Sequence, residues 1–295
     1  MKTRELGNTG LPVSAVGLGG VPLSLPETRP DEVTAIKVIH HAIDQGISFI
    51  DTADSYSLGE SDMGHNERLF RRALTALPAG VRARVVVATK AGFMRPGGAW
   101  VPNGRPDYLR HQCEASLRNL NVEHIDLLQH HRPDPDVPVA ESIGTFARLR
   151  DEGKVRFIGV SEYSLAQLDE AQAVTAIAST QNQYSLGHRQ PEYDGTLTAT
   201  RSRGLAFIPW SPLGGIAAPP HGARDLARRH PAVASLAQKL GVSPQRLAVA
   251  WLLSKGPQVI VIVGAARSAS IEDSALAAEL VLDAEAVAEI DGATA

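Results

Sequence analysis

The chain has 295 residues, 43% of them hydrophobic and 21% charged, with a formal net charge of -3. This composition is close to the globular average, so we expect the chain to bury a full core and to offer no basic surface for nucleic acid. No apolar run approaches the roughly 20 residues of a membrane-spanning helix, no signal peptide is apparent, and the single cysteine, Cys113, fits a reducing compartment, so we expect a cytoplasmic protein.

The first residues predict a β-hairpin, because residues 5–14 carry an Asn8-Thr9-Gly10 turn between two short extended segments. After it, short β-branched runs alternate with helical segments, as expected of βα units in a parallel sheet. The eight predicted strands are Ala15–Leu18, Ile47–Asp51, Arg84–Thr89, Ile125–Gln129, Phe157–Val160, Ser179–Asn182, Ala206–Pro209 and Val259–Ile262. The clearest helices between them are Asp31–Gln45, Pro106–Leu120 and Val139–Glu152.

Eight strands with right-handed crossovers close naturally into a barrel. The sequence therefore predicts an α/β protein with one (β/α)8 TIM barrel domain, residues 1–295, and the N-terminal β-hairpin at the barrel floor. Glycine- and proline-rich stretches at residues 95–105 and 213–222 each follow a strand, so we expect them to be loops on the catalytic face. A Rossmann fold is the competing interpretation of Gly17-Leu18-Gly19-Gly20, but Pro22 stands where the dinucleotide fingerprint needs a helix to open on a third glycine.

Polar residues stand at the ends of several predicted strands, which is where the active site of a (β/α)8 barrel lies. They are Asp51, with Tyr56 five residues later, Lys90, His130, His131 and Ser161. A buried ammonium held by a carboxylate lowers the pKa of a nearby phenol and makes it a proton donor or acceptor near neutrality. We therefore expect carbonyl reduction, in which Tyr56 gives a proton, a histidine orients the carbonyl oxygen and a cofactor supplies hydride.

Five motifs resemble those of the aldo-keto reductase family and occur in the family's order. They are Phe49-Ile50-Asp51-Thr52-Ala53-Asp54-Ser55-Tyr56, Val87-Ala88-Thr89-Lys90, Asp126-Leu127-Leu128-Gln129-His130-His131-Arg132-Pro133-Asp134, Gly153-Lys154-Val155-Arg156 and Gln181-Asn182-Gln183-Tyr184. The resemblance implies a catalytic tetrad of Asp51, Tyr56, Lys90 and His131, an NADP(H) cofactor and a small-molecule carbonyl substrate. Because neighbouring strand residues face opposite sides, His130 is expected to point away from the barrel mouth.

The same resemblance implies the cofactor contacts. Ser161 and Gln181 are expected at the nicotinamide amide, Trp210 stacked on the nicotinamide, and Ser211 and Leu213 at the pyrophosphate. The residues expected at the adenosine 2'-phosphate and the adenine are Gly264, Arg267, Asp273 and Ser274. The chain departs from the common family pattern at three of its positions: Glu162 and Ser274 each replace an asparagine, and Ser270 stands where Arg or Gln is frequent. Arg267 is then the cation expected to favour NADPH over NADH.

The loops at residues 90–106 and 209–215 resemble those of bacterial pyridoxal-reductase-like members, which suggests pyridoxal or another small aromatic aldehyde as substrate. Two alternatives remain open. The chain could be a non-catalytic NADP(H)-binding subunit that senses redox state, or a metal-dependent barrel hydrolase with ligands among His130, His131, Asp134 and Asp136. We predict no metal in the reductase and a monomer or a weak homo-oligomer.

Overall fold

The apolar runs of the sequence form strands that close into a barrel in the computed structural model, which describes residues 1–215 and 223–294. In chain order, the strands of this part are β1 Thr3–Glu5, β2 Pro12–Ser14, β3 Val16–Gly19, β4 Phe49–Asp51, β5 Val86–Ala91, β6 Phe93–Met94, β7 Val101–Pro102, β8 Ile125–His130, β9 Val155–Ser161, β10 Ser179–Gln183, β11 Ala206–Trp210 and β12 Val261–Gly264. Eight of them form one sheet in the order β11-β10-β9-β8-β5-β4-β3-β12, with parallel neighbours throughout.

The sheet closes between its two outer strands. Phe207 on β11 forms a parallel bridge with Val259, just before β12. Its amide donates to the Gln258 carbonyl and its carbonyl accepts from the Ile260 amide, both over 2.9 Å. The predicted (β/α)8 TIM barrel is therefore confirmed.

Helices pack around the outside of the barrel. In the described residues they are α1 Glu32–Asp44, α2 His65–Thr75, α3 Ala79–Arg82, α4 Pro106–Leu120, α5 Val139–Asp151, α6 Leu165–Val174, α7 Gln190–Tyr193, α8 Thr196–Arg203, α9 Leu226–Arg229, α10 Pro231–Lys239, α11 Pro244–Ser254, α12 Ser268–Ala275 and α13 Ala284–Ala293. The predicted helices Asp31–Gln45 and Val139–Glu152 correspond to α1 and α5. Asp31 is the N-cap of α1, where its side chain accepts from the Thr34 amide, and Gln45 and Glu152 are the C-caps of α1 and α5. None of these helices has the length and apolar character to cross a membrane.

The structure differs from the prediction at the start of one strand and within one predicted loop. The third barrel strand begins at Val86 and not at Arg84, because the amides of Arg84 and Val85 are held by the turn that follows α3. The expected loop at residues 95–105 contains part of a second hairpin, in which β6 pairs antiparallel with β7. This hairpin leaves no signal in the sequence, because each of its strands is only two residues long. Residues 216–222 of the other expected loop lie outside the described residues.

The N-terminal hairpin lies at the amino-terminal end of the barrel strands. Strands β1 and β2 pair antiparallel, and Leu6 and Val13 are completely buried in one apolar cluster with residues from the barrel interior. Gly7 has a φ of 58°, and a Cβ there would meet the Ala178 carbonyl oxygen at 2.2 Å. The hairpin therefore packs tightly under the barrel, which leaves the carboxyl ends of the strands as the open face.

Candidate active site

Three of the predicted catalytic residues meet in a buried hydrogen-bonded group. Asp51 ends β4, Lys90 lies on β5, and Tyr56 lies in the loop after β4. The Lys90 ammonium donates to an Asp51 carboxylate oxygen, to the Thr52 carbonyl over 3.0 Å and to the Tyr56 hydroxyl over 2.9 Å. The Asp51 and Lys90 side chains are 1% and 0% exposed, so this ion pair is shielded from the solvent screening that weakens surface pairs.

The ionisation of Tyr56 and Lys90 follows from burial and from their neighbours. Burial raises the pKa of the Tyr56 phenol, and although the Lys90 charge lowers it, the net pKa lies above its usual value of 10.0. The expectation of a lowered phenol pKa is therefore wrong in its net direction, because burial outweighs the ammonium. Burial by itself lowers the pKa of Lys90, but the Asp51 carboxylate and Tyr56 together raise it by more. The net pKa therefore lies above the usual value, and the ammonium stays charged. Tyr56 is thus a protonated phenol at neutral pH.

The two adjacent histidines point to opposite sides of β8. The His131 ring lies 5.7 Å from the Tyr56 ring, centroid to centroid, and its Nδ1 is 3.3 Å from the Ser55 hydroxyl. His130 instead packs edge-on against Phe146 of α5, and its Nδ1 lies 2.6 Å from the Tyr163 hydroxyl. Strand alternation therefore brings His131 beside Tyr56 and directs His130 toward the outer helices.

Both histidines are uncharged at neutral pH. Burial lowers the pKa of His131 well below 6.5, and the positive charges of Lys90 and Arg132 lower it further. Burial lowers the pKa of His130 to about 4. A neutral imidazole beside the phenol can donate one hydrogen bond without competing with Tyr56 for the proton.

A network that the sequence analysis missed surrounds Asp51. The Gln129 side-chain amide donates to Asp51 Oδ1 over 3.0 Å, and the Gln181 amide donates to the same oxygen over 2.9 Å and to Gln129 Oε1 over 3.1 Å. Gln181, expected at the nicotinamide, is thus also bound to the predicted tetrad. Gln129 had a detectable signal, since it is a polar residue inside the apolar β8 run.

Aromatic rings form one wall of the barrel mouth. Trp100, in the β6–β7 hairpin, has its ring centroid 6.4 Å from that of Tyr56, 6.2 Å from that of His131 and 5.3 Å from that of Phe93. The Arg95 guanidinium lies 3.8 Å from the Trp100 ring and donates to the Ser55 carbonyl over 3.1 Å. This cation–π contact fixes the indole, whose side chain remains 41% exposed. No individual role of Trp100, Phe93 or Arg95 was predictable from the sequence.

The residues predicted at the nicotinamide end of the cofactor lie on neighbouring strands. Ser161 ends β9 and is paired in register with Gln181 on β10, and Gln183 on β10 is paired with Trp210 at the end of β11. Ser211 follows directly, with a left-handed φ of 50° that is uncommon for a residue with a side chain. Strained backbone of this kind is found preferentially at ligand sites.

The residues predicted at the pyrophosphate and the adenosine lie at or after the ends of β11 and β12. Leu213 is largely buried, and its carbonyl accepts from Arg229 over 3.1 Å. Gly264 ends β12, and an added Cβ there would clash with the Pro22 ring at 2.7 Å, so the position has no room for a side chain. Arg267 is exposed and directly precedes α12, an eight-residue helix. An arginine at a helix N-terminus has the charge and the backbone donors that a phosphate requires.

The other two residues predicted at the adenosine, Asp273 and Ser274, are already hydrogen-bonded or buried within the protein. Asp273 accepts from Arg246 Nη2 over 2.8 Å and from the Ser243 hydroxyl over 2.5 Å, so its carboxylate links α12 to α11. Ser274 is buried. Among residues 1–215 and 223–294, no three His, Cys, Asp or Glu side chains come together in a group able to hold a metal ion, so nothing in this part of the chain supports the hydrolase alternative.

Comparisons with known proteins point to one family. A family model described as the aldo/keto reductase family matches residues 15–295. The chain is 34% identical to a probable aldo-keto reductase 1 of Glycine max over 94% of this chain and 84% of that protein.

Two solved structures are similar over nearly the whole length. One is a glycerol dehydrogenase of Gluconobacter oxydans, 28% identical with a TM-score of 0.85, covering 99% of this chain and 94% of that chain. The other is an aldo/keto reductase of Klebsiella pneumoniae in complex with NADP and acetate, 26% identical with a TM-score of 0.81, covering 100% and 96% of the two chains.

Proposed function

The chain belongs to the aldo/keto reductase family, and we propose that it is an NADP-dependent oxidoreductase that reduces the carbonyl group of a small aldehyde or ketone to an alcohol. The observation that carries this proposal is the buried hydrogen bond from Lys90 to the Tyr56 hydroxyl at the open end of the barrel. A protonated phenol there can supply the proton that the reduced carbonyl needs. The relative crystallised with NADP supports the choice of cofactor.

The reaction needs one hydride and one proton. The hydride for the carbonyl carbon would come from NADPH held at the carboxyl ends of β9 to β12. Tyr56 gives its hydroxyl proton to the carbonyl oxygen, so that the C=O double bond becomes an alcohol, and the Lys90 ammonium stabilises the phenolate left behind. Neutral His131 donates a hydrogen bond that orients the same oxygen, and Asp51 keeps Lys90 charged.

Cofactor binding is assigned to the carboxyl ends of β9 to β12. The donor set fits the cofactor, since Ser161 and Gln181 offer hydroxyl and amide groups suited to a nicotinamide amide, and Arg267 at the start of α12 offers a cation and a helix N-terminus suited to a phosphate. The proposed contacts are Ser161, Gln181 and Trp210 at the nicotinamide, Ser211 and Leu213 at the pyrophosphate, and Gly264, Arg267, Asp273 and Ser274 at the adenosine 2'-phosphate and adenine.

We also propose that small aromatic aldehydes, including pyridoxal, are preferred. Trp100 supports this choice, because its half-exposed ring stands within 6.4 Å of Tyr56 and 6.2 Å of His131, centroid to centroid. A flat ring bound beside that indole gains stacking energy of about 0.5–1.5 kcal/mol beyond the area that it buries. An aliphatic aldehyde of equal size does not gain it.

The test is a screen of NADPH oxidation against pyridoxal, nitrobenzaldehyde, methylglyoxal and simple ketones, with Tyr56→Phe as the matched inactive control. Turnover by the wild type that is lost in the variant supports the reductase. Tight NADPH binding without turnover on the whole panel would instead support the non-catalytic redox-sensing subunit. Trp100→Leu should reduce kcat/KM for the aromatic substrates more than for methylglyoxal, and equal losses would contradict the aromatic preference.

A further inference from the structure

Glu162 occupies an unusual position directly after β9. Its φ is 57°, in the left-handed region that few residues with side chains adopt. Its Oε1 accepts from the Trp210 indole Nε1 over 2.5 Å and from the backbone amide of Gln183 over 2.7 Å. One carboxylate oxygen therefore ties the end of β9 to the last residues of β10 and β11, and it fixes the ring plane of Trp210.

The second oxygen of the same carboxylate pairs with Arg132. Arg132 Nη1 lies 3.1 Å from Glu162 Oε2, and its guanidinium lies 5.7 Å from the Trp210 ring centroid. Arg132 follows His131, and its positive charge lowers the pKa of both Tyr56 and His131, so it is close enough to act on a charged group bound beside them. The Arg132 side chain is 32% exposed, so its charge is only partly screened from the protein by solvent.

We propose that Glu162 is a positioning and specificity-determining residue that holds the Trp210 indole and cancels the Arg132 charge, so that the barrel mouth accepts uncharged aldehydes in preference to carboxylated ones. This inference rests on the proposed reductase function. The paired carboxylate offsets the guanidinium that would otherwise attract an anionic substrate. Without Glu162, Arg132 faces the mouth as an uncompensated cation.

The test compares benzaldehyde with 4-carboxybenzaldehyde, which differ by one carboxylate. Glu162→Gln keeps an oxygen that can accept from Trp210 and Gln183 but removes the charge. We expect the ratio of kcat/KM for 4-carboxybenzaldehyde to that for benzaldehyde to rise about fivefold, the size typical of one partly exposed charge pair. High salt should reverse the rise, because Arg132 is partly exposed. Glu170→Gln on the exposed face of α6 removes an equal charge away from the mouth and should leave the ratio unchanged.

Two further variants separate charge from position. Adding Arg132→Met to Glu162→Gln should return the ratio to the wild-type value, because the attracting cation is gone. Glu162→Ala removes both acceptor oxygens, so turnover of benzaldehyde should fall further in it than in Glu162→Gln. Equal turnover in these two variants would overturn the positioning role.

A binding measurement keeps the inference independent of turnover. Benzoate affinity is measured by fluorescence titration of the NADP-loaded protein, wild type and Glu162→Gln. We expect the variant to bind benzoate about fivefold more tightly. An unchanged affinity overturns the specificity role, whether or not any aldehyde is reduced. Tighter benzoate binding with no turnover of any aldehyde by the wild type would leave the charge role supported and overturn the proposed function alone.

Discussion

The Lys90 ammonium donates a hydrogen bond to the Tyr56 hydroxyl over 2.9 Å, and both side chains are buried. The contact joins residues 34 positions apart in the sequence. Because burial holds the pKa of Tyr56 above its usual value, the phenol keeps its proton at neutral pH and acts as a donor when negative charge develops next to it.

Tyr56→Phe should abolish most turnover while leaving the fold intact. The variant keeps the ring, and Lys90 retains its hydrogen bonds to Asp51 and to the Thr52 carbonyl. General acid catalysis contributes about 10² to 10⁴ in rate, so kcat should fall by at least the lower factor. The measurement is single-turnover hydride transfer beside a fluorescence titration with NADPH, whose affinity should barely change. Near-normal turnover would rule out Tyr56 as the proton donor, and a collapse of NADPH binding would show that its role is in the cofactor site.

Lys90→Met should cost both activity and stability. The change leaves the Asp51 carboxylate buried without a cation, and breaking a buried pair in this way costs about 3–5 kcal/mol. Adding Asp51→Asn should restore most of the free energy of unfolding, because the uncompensated charge disappears, but it should not restore kcat. The Lys90→Met and Tyr56→Phe losses in kcat should not add in a double variant, since both disable one acid–base unit. Urea unfolding and steady-state kinetics on the variants provide the measurements, and additive kcat losses would contradict the shared unit.

The paired histidines should respond differently to the same substitution. His131→Ala removes the imidazole beside Tyr56, so kcat should fall with little change in stability. His130→Ala removes the partner of the Tyr163 hydroxyl, and an unpartnered buried hydroxyl costs about 1–3 kcal/mol, so stability should fall with kcat largely retained. Kinetics and thermal unfolding of the two variants distinguish these outcomes. If His130→Ala is inactive and His131→Ala is active, His130 and not His131 is the histidine of the active site.

Arg267→Ala should weaken NADPH binding selectively. Arg267 is the exposed cation at the start of α12, and one charge-assisted contact contributes about 1.5–3 kcal/mol, which corresponds to roughly ten- to a hundredfold in Kd. NADH lacks the 2'-phosphate, so its affinity serves as the internal control and should stay nearly constant. Titration of both cofactors against both proteins makes the comparison. Equal losses for NADPH and NADH would exclude Arg267 from the 2'-phosphate site.

Acid should destabilise the protein in part through His130. Its folded-state pKa of about 4 lies below the ordinary value of 6.5, so the unfolded chain binds more protons between these pH values. Stability present above pH 6.5 is therefore lost as the pH falls toward 4, by about 2 kcal/mol between pH 7 and pH 5. Glutamine does not titrate in this range, so the free energy of unfolding of His130→Gln should fall by about 2 kcal/mol less than that of the wild type. Buried His131 is present in both proteins and contributes equally to the pH dependence of each. Urea unfolding at the two pH values checks this, and parallel losses in the two proteins would contradict it.

Much of this molecule was predictable from local pattern. Short runs of four to six residues, most of them apolar, alternate with segments of helical periodicity and indicate βα units, and each of the eight runs overlaps one barrel strand. Asp51 at the end of β4, Lys90 near the end of β5 and His131 directly after β8 could be predicted to converge, because parallel strands in a barrel present their carboxyl ends on one face. Strand alternation likewise separated His130 from His131. These features depend on short-range geometry, which a sequence encodes directly.

What only the tertiary structure decided depends on which distant groups are buried together. The bonds of Gln129 and Gln181 to Asp51 span 78 and 130 residues, and no local pattern specifies them. The net pKa of Tyr56 has the same origin, since the sequence identified Lys90 as a neighbour but not the depth of burial that outweighs its charge. Glu162 stood out in the sequence only as a departure from a family pattern, and its bonds to Trp210 and Arg132 gave it a role. Hydrogen bonding and desolvation of this kind depend on the closed barrel, because only there are these side chains removed from water and held against one another.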